Sequence, residues 1–132
     1  MSNFALDIAR FATKVGISLD LAHRKICLDL FTSLIRKSPV DTGRFRGNWQ
    51  LGYMTVNVAT DSPVDKSGGH AMARAFEFMA PMKAGGIIFL TNSLPYAMPL
   101  EYGSSLQAPQ GMVRITIIEH QSNLATLLAG IN

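Results

Sequence analysis

The sequence lacks the features that several large classes of protein require. It contains a single cysteine, Cys27, so the chain cannot form an internal disulfide or a metal site built from several cysteines. Its longest apolar runs, such as 86–90, fall far short of the ~20 residues that span a bilayer. A secretory leader is apolar at its centre, whereas the first ten residues carry Asp7. We therefore expect a protein that is made and kept in a cytoplasm and does not enter a membrane.

Charged residues are also scarce. They make up 16% of the chain, against about 25% in an ordinary soluble domain. Apolar residues make up 48% of the 132 residues, which is enough material for one domain with a real hydrophobic core and too little for two. A folded chain with so few charges has less polar material than usual to cover its surface. This composition indicates that other subunits cover part of that surface.

The net charge of +3 comes from one short part of the chain. Arg36, Lys37, Arg44 and Arg46 against Asp41 account for all of it, and the remaining charges balance. A basic segment in a neutral domain indicates one contact surface, either with an acidic protein or with the phosphates of a nucleic acid. The alternative interpretation is a solvated loop in which Asp41 pairs with a neighbouring arginine.

The strongest local pattern lies near the N-terminus. Between residues 4 and 30, apolar residues recur every three or four positions, which is typical of a helix that buries one stripe. Gly16 weakens such a helix and Ser18 is suited to cap a new one, so the pattern leaves a break or kink between them open. The half Leu19–Lys37 is apolar over a wider arc, and we expect it to pack on two sides. Pro39 follows and ends the helix.

The rest of the chain predicts a mixture of short strands, loops and helices. The predicted elements are a half-buried strand at Leu51–Thr60, a loop at Ser62–Gly69, a helix at His70–Met79, a central buried strand at Gly86–Thr91, one or two helical turns at Leu94–Tyr102 and a helix at Met112–Leu128. The first half of the last element is rich in β-branched residues and is open to a strand, but the whole run is too long for one strand. Polar loops are expected around 38–48, 60–70 and 103–111. Residues 1–132 therefore form one domain of the α+β class, with a long N-terminal helix and a C-terminal helix packed on a small, mainly antiparallel β-sheet.

No arrangement of residues in the sequence indicates catalysis. The histidines His23, His70 and His120 lie in separate elements and have no metal-ligand spacing. A nucleophile elbow, a phosphate loop and a dinucleotide-binding glycine pattern are all missing. The sequence therefore predicts neither an enzyme nor a bound cofactor or metal ion.

Two segments have unusually distinctive sequences, and we call them the first and second motifs. The first motif covers residues 38–49 and reads Ser-Pro-Val-Asp-Thr-Gly-Arg-Phe-Arg-Gly-Asn-Trp. We expect Asp41 to accept hydrogen bonds from the amides after the turn and Gly43 to supply a positive φ. Arg44 and Arg46 then project on one side if the chain is extended.

The second motif covers residues 94–114 and opens with Leu-Pro-Tyr-Ala-Met-Pro-Leu-Glu-Tyr-Gly-Ser. Its tyrosines, Tyr96 and Tyr102, offer amphipathic contact area next to Glu101. The motif then leads through a loop into the last helix. Both motifs have the chemistry of turns and contacts, not of a reaction.

Taken in order along the chain, these strings resemble a known family. The chain has a Pro-Val-Asp-Thr-Gly-Arg turn after a helix, an Asn-Ser-Leu-Pro-Tyr stretch that runs into Leu-Glu-Tyr-Gly-Ser, and Gln-Ala-Pro-x-Gly-Met-Val-Arg before the final helix. In this it is similar to the neck or tail-completion proteins of tailed double-stranded DNA phages, relatives of the lambdoid minor tail protein Z. The resemblance runs from about residue 5 to residue 128. It implies a virion structural protein that completes the head-proximal end of the tail and joins it to the head connector.

The resemblance also implies the partners and the location. The partners are further copies of the chain in a homo-oligomeric ring, taken as hexameric, together with the head connector and the tail terminator or tube proteins. DNA passes through the ring lumen without sequence-specific binding, and the protein is assembled in the host cytoplasm into the neck of the virion. The predicted assembly contacts are residues of the two motifs: Asp41, Thr42, Gly43, Arg44, Arg46, Trp49, Tyr96, Glu101, Tyr102 and Arg114.

Two other functions are kept as alternatives. A small nucleic-acid-binding module would use Arg36, Lys37, Arg44 and Arg46, and its affinity would fall steeply with salt. An enzyme is the third and weakest hypothesis. Because Arg44 and Arg46 lie in a loop after a proline-terminated helix, we expect them to act in assembly contacts and not in folding. The alternative for this pair is a position that faces DNA in the ring lumen.

Overall fold

The computed structural model describes residues 4–108 and 110–129, and the chain forms six helices and two strands within them. In chain order the elements are α1 (Phe4–Val15), α2 (Leu19–Lys37), α3 (Arg44–Gly47), β1 (Gln50–Tyr53), α4 (Gly69–Met79), β2 (Ile88–Thr91), α5 (Ala97–Glu101) and α6 (Val113–Ala129). The strands pair antiparallel, with Gln50 opposite Thr91 and Tyr53 opposite Ile88. The predicted α+β class with a small antiparallel sheet is confirmed. Among the described helices, none has both the length and the apolar character needed to cross a membrane.

The N-terminal apolar stripe is divided between two helices. α1 ends at Val15, and Gly16 follows with a φ of 73°, a left-handed conformation that glycine adopts readily. Ser18 then caps α2, because its Oγ accepts a hydrogen bond from the Leu21 amide at 3.1 Å. Of the break or kink that the pattern left open, the structure has the break. The expectation of one long N-terminal helix is wrong, because Gly16 and Ser18 stop the first helix and start a second.

The core is organised along α2. Ile26 packs with α1 in one apolar cluster, and Phe31 packs with α4 and the inner face of the sheet in another. Ile35, fully buried, packs in the third cluster together with Phe45 and Trp49 of the first motif. The wide apolar arc of this helix is therefore covered on more than one side, as expected.

Both strands are shorter than predicted. β1 ends at Tyr53 because Met54 takes a left-handed conformation with a φ of 61°, and residues 54–60 do not continue the sheet. β2 is half-buried along its length. The expectation of a central buried strand at Gly86–Thr91 is wrong, because the described sheet has two strands and each keeps one edge without a strand partner.

The C-terminal helix is present as predicted but packs differently. α6 contacts mainly α2 and α1. The expected packing of α6 on the sheet is wrong, because α2 and α4 already cover the inner face of the sheet. The inward side of α6 carries the buried Thr116, whereas Val113, Ile117 and Ile118 are exposed. Three of the apolar side chains at the start of this helix, Val113, Ile117 and Ile118, are therefore not covered by the core of the chain.

The predicted short helices and loops agree with the structure, except for the loop at 38–48. α4 and the loop before it lie where the sequence places them, and α5 is a short helix followed by Gly103 with a φ of 91°. The predicted loop at 38–48 contains the single-turn helix α3. Arg44 and Arg46 are therefore on a helix and not on an extended chain.

Removal of the Ile35 side chain should show that the fold depends on α2. Because Ile35 is fully buried, Ile35→Ala should lower the free energy of unfolding by about 2–5 kcal/mol, measured by urea denaturation. Leu106→Ala is the control, because Leu106 is 99% exposed and its truncation should change stability by less than about 0.5 kcal/mol. Equal effects of the two substitutions would contradict the position assigned to α2.

Candidate functional site

The first motif turns sharply at Gly43, directly after α2. Gly43 has the expected positive φ, 94°, and α3 starts at the next residue. Its carbonyl oxygen accepts hydrogen bonds from the amides of Gly47 and Asp65 at 3.0 and 2.9 Å. A Cβ at Gly43 would lie 2.6 Å from the backbone nitrogen of Lys66, so both the dihedral angle and the space restrict this position to glycine. Gly43 shapes the motif and is itself buried.

Asp41, Thr42 and Arg44 form the exposed part of the first motif. The Arg44 amide donates to Thr42 Oγ1 at 3.2 Å, so Thr42 takes the capping role expected of Asp41. Within the described part of the chain, the side chains of Asp41 and Arg44 form no hydrogen bond or ion pair. Both charges are therefore available to a partner.

Arg46 differs from Arg44, because its guanidinium binds the fold itself. Nη2 donates to the carbonyl oxygens of Ser38 and Arg36 at 2.8 and 2.9 Å, and Nη1 donates to that of Lys66 at 2.8 Å. The last carbonyls of α2 have no partner within the helix, and Arg46 supplies donors to this end. The expectation that Arg46 has no part in folding is therefore wrong.

Trp49 is also part of the interior. It is 5% exposed, and its Nε1 donates to Ser38 Oγ at 2.7 Å. The Phe45 ring meets it edge-on, with the ring centroids 5.8 Å apart and the planes at 70°. Trp49 was expected among the assembly contacts, but in this chain it anchors the first motif in the core. Sequence alone does not separate a buried tryptophan from an exposed one.

Glu101 joins the second motif to the start of α6. Its Oε1 accepts hydrogen bonds from the Met112 and Val113 amides, both at 2.8 Å, and its Oε2 accepts one from the Arg114 amide at 3.0 Å. Burial raises the pKa of Glu101, but these backbone hydrogen bonds and the one from the Arg114 side chain lower it below the ordinary value overall. The carboxylate caps the positive end of the helix.

Tyr102 and Arg114 lie beside this cap on the surface. The Arg114 guanidinium carbon is 5.0 Å from the centre of the Tyr102 ring, which is a cation–π contact. Arg114 Nε also pairs with Glu101 Oε2 at 3.1 Å. These three predicted site residues therefore form one cluster at the start of α6.

The two motifs meet face to face although they are far apart in sequence. The side-chain amide of Gln107 pairs with the backbone of Val40, accepting from its N–H and donating to its carbonyl oxygen, both at 2.9 Å. The rings of Phe45 and Tyr96 are 5.8 Å apart, and Asn92 Nδ2 donates to the Phe45 carbonyl oxygen at 2.9 Å. The motifs are thus fixed to each other by polar and aromatic contacts.

A shallow cavity of about 550 Å³ lies between the motifs. We call the surface around it the motif face, lined by Pro39, Val40, Asp41, Thr42, Gly43, Arg44, Phe45, Tyr96, Leu100, Ser105 and Gln107. Five predicted site residues belong to it: Asp41, Thr42, Gly43, Arg44 and Tyr96. The sequence reasoning missed Gln107 as a site residue, although it belongs to the specific Gln-Ala-Pro string. In the described residues, no three His, Cys, Asp or Glu side chains are grouped so as to hold a metal ion.

Two substitutions should separate the roles of the arginines. Arg46→Ala leaves three backbone carbonyl oxygens without their donor and should destabilise the chain by about 1–3 kcal/mol. Arg44→Ala removes an exposed charge and should change stability by less than about 0.5 kcal/mol. Thermal and urea unfolding of both variants test this difference, and an unchanged Arg46→Ala would contradict it.

The Glu101 cap should make stability depend on pH. Because its folded pKa is lowered, the carboxylate stabilises the fold above the ordinary carboxyl pKa of ~4.3, and this stabilisation is lost as the pH falls through the lowered value. Glu101→Gln should cost about 1 kcal/mol at neutral pH. Urea unfolding should show that the difference from the parent shrinks towards zero in acid. A difference of equal size at both pH values would contradict the assignment.

All residues that line the motif face belong to this one chain. Comparison with protein-family models, with curated proteins and with solved structures finds no match. A function for the motif face therefore depends on its own geometry and charges and on the resemblance that the motifs carry.

Proposed function

We propose that the chain is a structural joining subunit in the virion of a tailed double-stranded DNA phage. It completes the head-proximal end of the tail and docks on the head connector as one subunit of a ring. The observation that carries this proposal is the pairing of Val40 with Gln107, which brings both specific motifs into one face. The residues that resemble phage neck proteins are therefore neighbours in space.

The motif face has properties that suit docking on another protein. Gly43 and the Val40–Gln107 pairing hold its backbone, so little order has to be gained on binding. Its rim presents one acid, Asp41, and one base, Arg44, beside the apolar surface of Tyr96. A mixed rim around an apolar centre is typical of protein interfaces. Arg44 is suited to a paired contact with a carboxylate of the partner.

The rest of the surface supports a subunit that is covered by neighbours. Leu106 is almost fully exposed, and exposed apolar residues also occur on α6 and in the segment after β1. The chain has few charges with which to cover such surface. Covered apolar surface is typical of interfaces between subunits. Subunits of a ring cover this kind of surface with each other.

The nucleic-acid alternative has less support. Of the four basic residues that it would use, Arg46 binds backbone carbonyls and Lys37 pairs with Glu119, Nζ to Oε1 at 2.7 Å. Arg36 and Arg44 are left with free charges in the described part of the chain. Since affinity for phosphates depends on how many of them are neutralised, two free cations favour weak binding. Joining on a packed protein surface is the better-supported function.

Deletion of the gene from the phage that encodes it should leave DNA-filled heads and full-length tails that do not join. The reason is that the proposed subunit makes neither structure and only connects them. Negative-stain electron microscopy of lysates, with the gene supplied from a plasmid as the control, measures the joined fraction. Normal infectious particles from the deletion strain would contradict the proposal.

A point substitution tests whether the motif face acts in joining without contributing to the stability of the fold. In the plasmid copy, Arg44→Glu should leave the melting temperature nearly unchanged, because exposed charges contribute little to stability. It should nevertheless abolish joining, since it reverses a charge on the docking rim. Lys83→Glu makes the same charge change at an exposed position outside the motif face and should join normally. Equal joining by the two variants would remove Arg44 from the docking contact.

A further inference from the structure

An irregular segment leaves the sheet after β1 and returns along it. We call residues 54–64 the strap. The Asn57 side-chain amide donates to the Leu51 carbonyl oxygen at 3.3 Å, and the Ser62 amide donates to Asn48 Oδ1 at 3.0 Å. The Gln50 side chain also donates to Ser62 Oγ at 2.8 Å. The strap therefore lies beside β1, held by side-chain hydrogen bonds instead of a strand ladder.

The strap presents a strand-like surface without a strand partner. Val56 and Val58 are exposed, the latter by 66%, and they alternate with polar residues as in a half-buried strand. Within the described residues, the amides of Val56, Val58 and Thr60 donate to no protein group. The exposed valines of the strap are therefore available to an apolar surface of another chain.

An apolar groove of about 670 Å³ runs between α2 and α4. Its floor and walls are formed by Leu21, Leu28, Met72, Phe76 and Met79. Phe76, one of its lining residues, is 66% exposed. The groove thus offers apolar contact area that this copy of the chain leaves uncovered.

The charges of groove and strap are complementary. Three basic residues and one acid, Asp29, line the groove. Arg24 binds backbone carbonyls and Lys25 pairs with Asp29, whereas Arg36 has no described side-chain partner. The strap contains one charged residue, the exposed Asp61. A negative strap and a positive groove attract each other.

The dimensions also agree. Along α2, eight residues separate Leu28 from Arg36, which corresponds to ~12 Å. Along the strap, which is not a regular strand, Val58 and Asp61 are three positions apart, at most ~10 Å. Asn57 and Ser62 bond towards β1, so the exposed Val58 and Asp61 both lie on the outer side of the strap. A strap that places Val58 beside Leu28 and Phe76 therefore brings Asp61 close to Arg36.

The strap cannot occupy the groove of its own chain. On α4, Arg74, Glu77 and Phe78 face the strap side, where they line a cavity with Asn57. Phe76 and the other groove residues lie on the opposite side of the same helix. The strap and the groove are thus on opposite flanks of α4, so a strap that lies in this groove belongs to another copy.

We propose that the strap of one copy lies in the α2–α4 groove of the next copy. Val56 and Val58 cover the apolar floor, and Asp61 faces Arg36. We take the contact as head-to-tail: each copy places its strap on one neighbour and receives the strap of another in its groove, so the contact repeats from copy to copy. The closure of this repeat into a ring rests on the function proposed above, whereas the contact itself does not.

Cysteine crosslinking tests the contact directly. Purified full-length Val58→Cys carrying a size tag is mixed with untagged Phe76→Cys and treated with a short bis-maleimide. The mixed dimer should exceed either same-variant dimer several-fold. Cys27 is present in both but should react little, because it is partly buried and desolvation raises the pKa of its thiol to about 11.

The matched control uses another exposed apolar residue. Leu106 lies outside the strap. Leu106→Cys mixed with Phe76→Cys should give no more mixed dimer than tagged and untagged parent chains treated in the same way. Equal yields from Leu106→Cys and Val58→Cys would overturn the proposal. A product dominated by Val58→Cys dimers would also overturn it, because it would show that straps pair with each other.

Charge reversal supplies the second test, measured by sedimentation equilibrium. Asp61→Arg and Arg36→Glu should each weaken self-association by about tenfold, and the double variant should restore it. Lys83→Glu should have no effect. A chain that stays monomeric at every concentration, or a double variant as weak as the singles, would overturn the contact. These measurements do not depend on whether heads and tails join in particles that lack the chain. The contact proposed here and the joining function proposed above can therefore be disproved independently.

Discussion

The hydrogen bonds that converge on Ser38 set the geometry of the first motif. The Ser38 carbonyl oxygen accepts from Arg46, and its Oγ accepts from Trp49 Nε1 and donates to the Leu34 carbonyl oxygen at 2.9 Å. Ser38 is 1% exposed, so these groups have no access to water and an unmade bond would be costly. Because α2 passes through all three apolar clusters, a motif fixed to its end is fixed to the whole core.

A second buried polar residue, Asn48, connects the first motif to the strap by hydrogen bonds. Asn48 is fully buried, and its Nδ2 donates to the Arg44 carbonyl oxygen at 2.7 Å while its Oδ1 accepts from the Ser62 amide. The exposed parts of the first motif and of the strap are therefore both held by interior hydrogen bonds. A satisfied buried network of this kind specifies one geometry for both surfaces.

The helices were predictable from the sequence because their patterns depend on near neighbours. The periodicity of α2, the caps around Gly16 and Ser18, and the glycine at position 43 are local signals. The strands were less predictable, because alternation indicates a strand but does not supply a partner, and residues 54–60 have none in the described sheet. The role of Arg46 was missed since its three acceptors come from the end of α2 and from the distant Lys66.

The Val40–Gln107 pairing has a consequence for the order of folding. It joins residues that are 67 positions apart, so the motif face closes only after the intervening chain has been synthesised. Contacts of long sequence separation form late, because the loop between them must be ordered first. A nascent chain that ends before Gln107 displays the first motif without its counterpart. The cavity between the two motifs therefore cannot form before Gln107 has been synthesised.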